Sequence, residues 1–290
     1  MKFLFLFPLT FFMVGCAAPV SQVPTGTKEE IAAEFLTQQI QAQEQIIERE
    51  KRIRHVGMTM LEANADLCGE NVAYHNGLVL WTRNNLPKDQ RDELGDYFGL
   101  DKRYQVMLVD KGFAADRAGI RPGDIILSIN GVTIPETRAA KTFEKIQKES
   151  FDQQDIDISV ERNGNVLDKR ISRDLMCNYG IAYWSHDTRI NAFADGDNVI
   201  FTAGMMNYLR DNNTGLETIM AHEIAHNLMQ HIPKAARNRG IGAFGGALLD
   251  VAALAAGVNT NGQFSQYGAG MGGLYMSPDF EHEADYVGLY

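Results

Sequence analysis

Thr218-Ile219-Met220-Ala221-His222-Glu223-Ile224-Ala225-His226 puts two histidines four residues apart, with a glutamate directly after the first. The stretch reads as part of a helix from Leu216 to about His231, where Pro233 stops it. Residues four apart on a helix share a face and lie about 6 Å apart along the axis, so both imidazoles can reach one metal ion. Zinc suits such a pair: it takes neutral imidazole, and a catalytic site keeps three protein ligands and an open position for water. Glu223 then stands where a base must stand to take a proton from that water.

A third ligand has to come from elsewhere in the chain. His231 fails as the third histidine of a metzincin, because that pattern needs His at 232 and Gly at 229, where Ile and Met stand. Far downstream, Ser277-Pro278-Asp279-Phe280-Glu281-His282-Glu283-Ala284-Asp285 opens another helix, with Ser at the N-cap, Pro at the first position and Asp in the first turn. Glu281 and Asp285 share a face of it. One carboxylate can ligate the metal while the other accepts the free N–H of a ligating histidine. On chemistry alone, His282 and Glu283 compete with Glu281.

Upstream, Asp195-Gly196 and Asp197-Asn198 mark a turn between two short strands, a hairpin expected beside the metal helix. Its edge can hold a substrate in extended form by main-chain hydrogen bonds. Taken together, His222-Glu-Ile-Ala-His226, Glu281-x-x-Ala-Asp285 and Asn191-Ala192-Phe193 resemble the HtpX and CAAX-prenyl-endopeptidase class of gluzincin metallopeptidases, in particular its periplasmic BepA-like branch. The resemblance implies one Zn²⁺ per chain held by His222, His226 and Glu281, with Glu223 as catalytic base. It further implies Asp285 as the acid behind the ligands, and Asn191, Ala192 and Phe193 at the substrate. It covers residues 191–290 and implies that the last helix continues beyond Tyr290 into further helical structure, so the chain reads as a truncated form of that pattern.

A second module is expected over residues 95–173. Strands at 106–109, 125–129, 156–161 and 166–171 alternate with a short helix at 114–119 and a longer one at 137–149, and Asn130-Gly131 and Asn163-Gly164 mark hairpin turns. The run Phe113-Ala-Ala-Asp-Arg-Ala-Gly-Ile-Arg-Pro-Gly-Asp-Ile-Ile-Leu-Ser-Ile-Asn-Gly-Val-Thr-Ile134 resembles the centre of a PDZ domain of the periplasmic-protease type. Such a domain adds a peptide to a sheet edge and catches its terminal carboxylate on backbone N–H groups. The expected carboxylate loop is Phe98-Gly99-Leu100, after Tyr97. Its low glycine content leaves capture of an internal segment, or a structural role, open beside it.

The 290 residues suit about two domains. With 27 basic against 37 acidic residues, the net charge of −10 argues against nucleic acid as a partner. Lys2 followed by an apolar run from Phe3 to Val14 and by Gly15-Cys16 is too short to span a bilayer and reads as a targeting segment. That order resembles a bacterial lipoprotein signal, which implies lipidation at Cys16, a membrane anchor and an outer-membrane location facing the periplasm. A plain secretory signal cleaved near Cys16-Ala-Ala is the alternative. Residues 17–26 form a tether, and residues 27–94 a helical region, with an amphipathic helix from Thr27 to about His55, packed on the peptidase domain. Residues 241–258 read as a small-residue helix at the cleft, and 259–273 as a glycine-rich connection. Setting Cys16 aside, Cys68 and Cys177 are a pair expected to bridge in an oxidising compartment.

The expected fold is α+β: a mainly helical zincin-type peptidase domain over residues 174–290 with a small hairpin edge, plus a PDZ-like β-rich module with two helices. The expected function is a zinc metalloendopeptidase acting on misfolded or misassembled envelope proteins. A periplasmic chaperone or binding protein with a latent zinc site is the alternative, and the oligomeric state is not legible.

Overall fold

The computed structural model describes residues 26–136, 139–237, 247–248, 266 and 278–289. The targeting segment with Cys16, the tether up to residue 25, the 259–273 connection except residue 266, and the 241–258 helix except 247–248 lie outside the described residues. Two compact units divide at Gln38/Gln39. In the first, helix α1 (Lys28–Ala63) begins on a capping box: the Glu30 N–H donates to Thr27 Oγ1 and the Thr27 N–H donates back to Glu30 Oε2.

Within the second unit α1 runs on past His55, through a glycine. A Cβ on Gly57 would sit 2.7 Å from Ile181 Cδ1 and 3.2 Å from Met220 Cε. The glycine costs about 1 kcal/mol of helix propensity and lets the helix lie directly on its neighbours. Ile53, Met58 and Leu61 enter one core with Val199, Phe201, Met206, Leu216, Met220 and Ile224. Arg49 donates to Asn207 Oδ1 at 2.7 Å and Arg52 to Asn213 Oδ1 at 2.9 Å along the same face.

After α1 comes a ribbon, β1 (Val72–His75), then β2 (Leu78–Trp81) and helix α2 (Arg91–Tyr97). The expected helical region at 27–94 is therefore corrected in its second half, which holds two strands. The β-rich module follows with β3 (Gln105–Val109), α3 (Ala114–Arg117), β4 (Ile125–Ile129), β5 (Val132–Thr133), α4 (Ala139–Glu149), β6 (Asp155–Arg162) and β7 (Asn165–Ser172). The sheet order is β2-β3-β4-β6-β7, with β5 on β4, so the sheet recruits β2 from ahead of residue 95. Alternation builds its core: Ile156, Ile158 and Val160 of β6 point in, against Val106, Ile126 and Ile146. Asn130-Gly131 and Asn163-Gly164 have positive φ at both positions, the geometry that hairpin turns of type I′ require.

Strand β8 (Asp174–Cys177) returns to pair with β1, Val72 opposite Cys177, and Cys68 is bonded to Cys177 with 5.5 Å between their Cα atoms. Beyond it lie β9 (Gly180–Trp184), β10 (Ala192–Ala194) and β11 (Asn198–Thr202), in the order β10-β11-β9, with β11 antiparallel to β10 and parallel to β9. Helix α5 (Ala203–Leu209) is capped by Thr202, and α6 (Asn213–Leu228) by Asn212, whose side chain accepts from the Gly215 N–H. The metal helix thus starts before Leu216, because Asn212 is its cap. It ends at Leu228, where Gln230 takes a left-handed φ of 54°. Pro233 does not stop it; it lies in the first turn of helix α7 (residues 231–237), where a missing N–H costs nothing. Helix α8 (Pro278–Val287) packs on α6 through Ala284, which is fully buried.

Candidate metal centre

Helices α6 and α8 bring three donors to one point. His222 Nε2 lies 3.0 Å from His226 Nε2 and 3.3 Å from Glu281 Oε2, and His226 Nε2 lies 3.8 Å from Glu281 Oε1. Zinc bonds of about 2.0–2.1 Å at tetrahedral angles place donors about 3.3 Å apart, so this set fits the ion. The helices approach closely at Gly288, where a Cβ would stand 3.2 Å from Ala221 C and His222 N of α6.

Each histidine turns its other nitrogen away from that point. His222 Nδ1 is 2.9 Å from Asp285 Oδ1. His226 Nδ1 is 2.8 Å from His231 Nδ1, and His231 Nε2 is 2.9 Å from Glu283 Oε2. Burial, with the neighbouring His222 and His231, brings the His226 imidazole down to about 4, which keeps it in the neutral form that ligates metals. His282 has no part in this group, and Glu283, which on chemistry alone rivals Glu281, is turned to His231.

Glu223 is 8% exposed, and its Oε2 accepts the Ala194 N–H at 2.9 Å. Burial pushes its carboxyl up to about 7; the His222 charge and the Ala194 N–H pull the other way, and Glu281 adds to the rise. A carboxyl held near neutrality can both take and return a proton.

Strand β10 forms the rim. The Thr202 N–H donates to Asn191 O and the Asp195 N–H to Asn198 O, so these residues spend their main-chain groups on β11. By alternation the N–H and C=O of Ala192 point away from β11. Asn191 and Ala192 line a cleft of about 340 Å³ with Met205, Thr218, Ile219, His222, Glu223 and Asp285. Phe193 lies on the opposite face of the strand from Ala192 and stacks edge-on against Trp184, outside the cleft. Asn227, next to His226, fastens this hairpin to α6: its Oδ1 accepts the Gly196 N–H at 2.9 Å and its Nδ2 donates to Asn198 O at 3.0 Å.

The expected carboxylate loop is corrected. Gly99 has φ 64° and closes α2 in a Schellman motif, with the Gly99 N–H on Asp96 O and the Leu100 N–H on Gly95 O. The Phe98 N–H is spent on Leu94 O, and Leu100 is fully buried beside Leu86 and Leu94, so none of the three N–H groups is left to meet a carboxylate. A groove of about 580 Å³ runs instead along the outer edge of β2, between Leu78 and Leu80 on one side and Phe143, Ile146 and Gln147 of α4 on the other. His75, Arg173 and Asn178 also line it. Burial, with Arg173 and Arg54 nearby, lowers His75 to about 4.

The sequence reading missed the part played by His231 and Glu283. A histidine just past the metal helix and a second glutamate two residues from Glu281 were the available signals.

Residues 159–290 match the model of peptidase family M48, and residues 105–154 match that of a PDZ domain. No curated protein gives a significant match. Among solved structures, the HtrA-type protease AlgW with a decapeptide is similar at 22% identity over 36% of this chain and 30% of that one, with a TM-score of 0.27. The HtrA3 PDZ domain bound to a phage-derived ligand is 19% identical over 36% of this chain and 88% of that one, TM-score 0.27. The PDZ domain of EpsC from Vibrio cholerae is 19% identical over 33% of this chain and 94% of that one, TM-score 0.23. The chain spans less than a third of the length of the AlgW chain it matches.

Proposed function

We propose that this protein is a zinc-dependent endopeptidase of the M48 type, akin to the HtpX and BepA-like branch, that cleaves misfolded or misassembled proteins of the bacterial cell envelope. The observation that carries the reading is the meeting of His222, His226, Glu281 and Glu223 beside the unpaired edge of β10. Zinc held by the triad would supply a Lewis acid and lower the pKa of water at the open position.

The residues of the chain do the rest. Asp285 holds the His222 proton on Nδ1, so Nε2 presents its lone pair to the donor cluster. The outward N–H and C=O of Ala192 pair with an extended substrate backbone, and Met205 and Ile219 receive an apolar side chain. Glu223, its rotamer fixed by the Ala194 N–H, takes the proton of the attacking water and hands it to the departing amide nitrogen. The groove beside β2 engages a second stretch of substrate by the same edge pairing. A lipid on Cys16 places the enzyme at the outer membrane, facing the periplasm.

The test compares zinc content and casein cleavage in wild type and Glu223→Gln. Removal of the base is expected to leave zinc bound and lower cleavage about 10²–10⁴-fold. Equal cleavage by both proteins overturns the reading. Zinc-loaded wild type that binds unfolded chains without cutting them points to a chaperone instead.

A further inference from the structure

His231 is fully buried and lies outside the ligand set, yet three contacts hold it. Its Nδ1 meets His226 Nδ1 at 2.8 Å, its Nε2 meets Glu283 Oε2 at 2.9 Å, and its ring stacks on Phe280 at 4.5 Å with planes 12° apart. Two imidazole nitrogens at hydrogen-bond distance need one proton between them. If His226 offers Nε2 to a metal, its proton is on Nδ1 and His231 must accept it there. His231 then carries its own proton on Nε2, where Glu283 accepts.

We propose that His231 and Glu283 are positioning residues for the metal centre, a two-step relay from α8 that fixes the tautomer and ring plane of His226. The proposal rests on the zinc-site reading above. Asp285 performs the same service for His222 in one step. The outer nitrogens of both histidines are thereby tied to α8, the helix that also carries Glu281.

Geometry explains why one ligand has a direct partner and the other a relay. Asp285 lies one turn from Glu281, on nearly the same face of α8, while Glu283 is about 200° round the helix from it. A carboxylate there cannot face the donor cluster. The left-handed Gln230 bends the chain back after α6 and delivers His231 into the space between, where it joins Glu283 to His226. A non-glycine residue in that conformation costs about 1 kcal/mol or more, and such strain clusters at functional sites.

The relay is tested by zinc affinity rather than by activity. His231→Ala, Glu283→Ala, Glu283→Gln and the double alanine variant of the full chain are titrated with Zn²⁺ against a chromophoric chelator. Melting of the apo proteins is followed in parallel. Each alanine variant is expected to bind zinc about 10–100-fold more weakly, and the double variant no more weakly than the worse single one. Glu283→Gln still offers an oxygen to His231 Nε2–H and should stay within about threefold of wild type. Glu283 is half-exposed, so Glu283→Ala carries the test should His231→Ala fail to fold. Unchanged zinc affinity in Glu283→Ala, or losses that multiply in the double variant, overturns the relay. Wild type that binds no zinc overturns the metal-site reading beneath it.

Discussion

Asn227→Ala probes how firmly the cleft rim is fixed to the metal helix. The side chain is 2% exposed and makes two hydrogen bonds to the hairpin main chain, to the Gly196 N–H at 2.9 Å and to Asn198 O at 3.0 Å. Truncation leaves the Gly196 N–H without a partner, while Asn198 O keeps the Asp195 N–H. An unsatisfied buried group costs about 1–3 kcal/mol, and Gly196 is only half-buried, so water recovers part of that cost. The expected loss is about 1–2 kcal/mol of unfolding free energy, read from the urea midpoint at constant m. Asn227→Asp keeps an acceptor for Gly196 but sets a carboxylate oxygen against the Asn198 carbonyl, so it should be no more stable than the alanine variant. Because Ala194 of the same hairpin holds Glu223, kcat/KM for casein should fall about tenfold or more while zinc content stays constant. An alanine variant that unfolds within about 0.5 kcal/mol of wild type and cuts casein as fast would refute the argument.

Two further outcomes follow from particular contacts. His75 titrates at about 4 in the fold against about 6.5 unfolded, so between these values the unfolded chain holds the extra proton. Its contribution is fully present above pH 6.5 and is lost as pH falls towards 4, by up to about 3 kcal/mol; His75→Gln should flatten that part of the stability–pH curve, and parallel curves for the two proteins would count against it. A Cβ on Gly204 would stand 2.2 Å from Thr188 O and 2.3 Å from Arg189 O, both main-chain atoms, so Gly204→Ala should cost about 3 kcal/mol or more; an unchanged melting temperature would exclude that clash.

The cluster of His222, His226 and Glu281 was legible in its parts because each half of it is local. His222 and His226 share a helical face, and so do Glu281 and Asp285. What spacing along the chain could not convey was their convergence, where two helices touch at Ala284 and Gly288. The hairpin turns at Asn130-Gly131 and Asn163-Gly164 were legible because positive φ has few residue types to serve it. At Phe98-Gly99-Leu100 the residues alone did not separate a binding loop from a helix C-cap, and the left-handed Gly99 that closes α2 shows only in the fold. Strands β1 and β8 are four residues long, too short for alternation to register. The edge strand β2 was hidden by its distance along the chain, with α2 standing between it and the rest of its sheet.

Helix α1 reaches both halves of the second unit. Ile40 packs beside Leu94 and Leu100, Tyr97 donates its hydroxyl hydrogen to Glu44, and Arg54 meets the buried Asp110 at 2.5 Å, all at the β-rich module. Ile53, Gly57 and Leu61 lie in the core behind the donor cluster. Within that unit, one continuous stretch of helix is fastened to both halves and acts as a ruler. The span between the β2 groove and the cleft beside His222 is a built-in length of the molecule, and any polypeptide occupying both at once is measured against it.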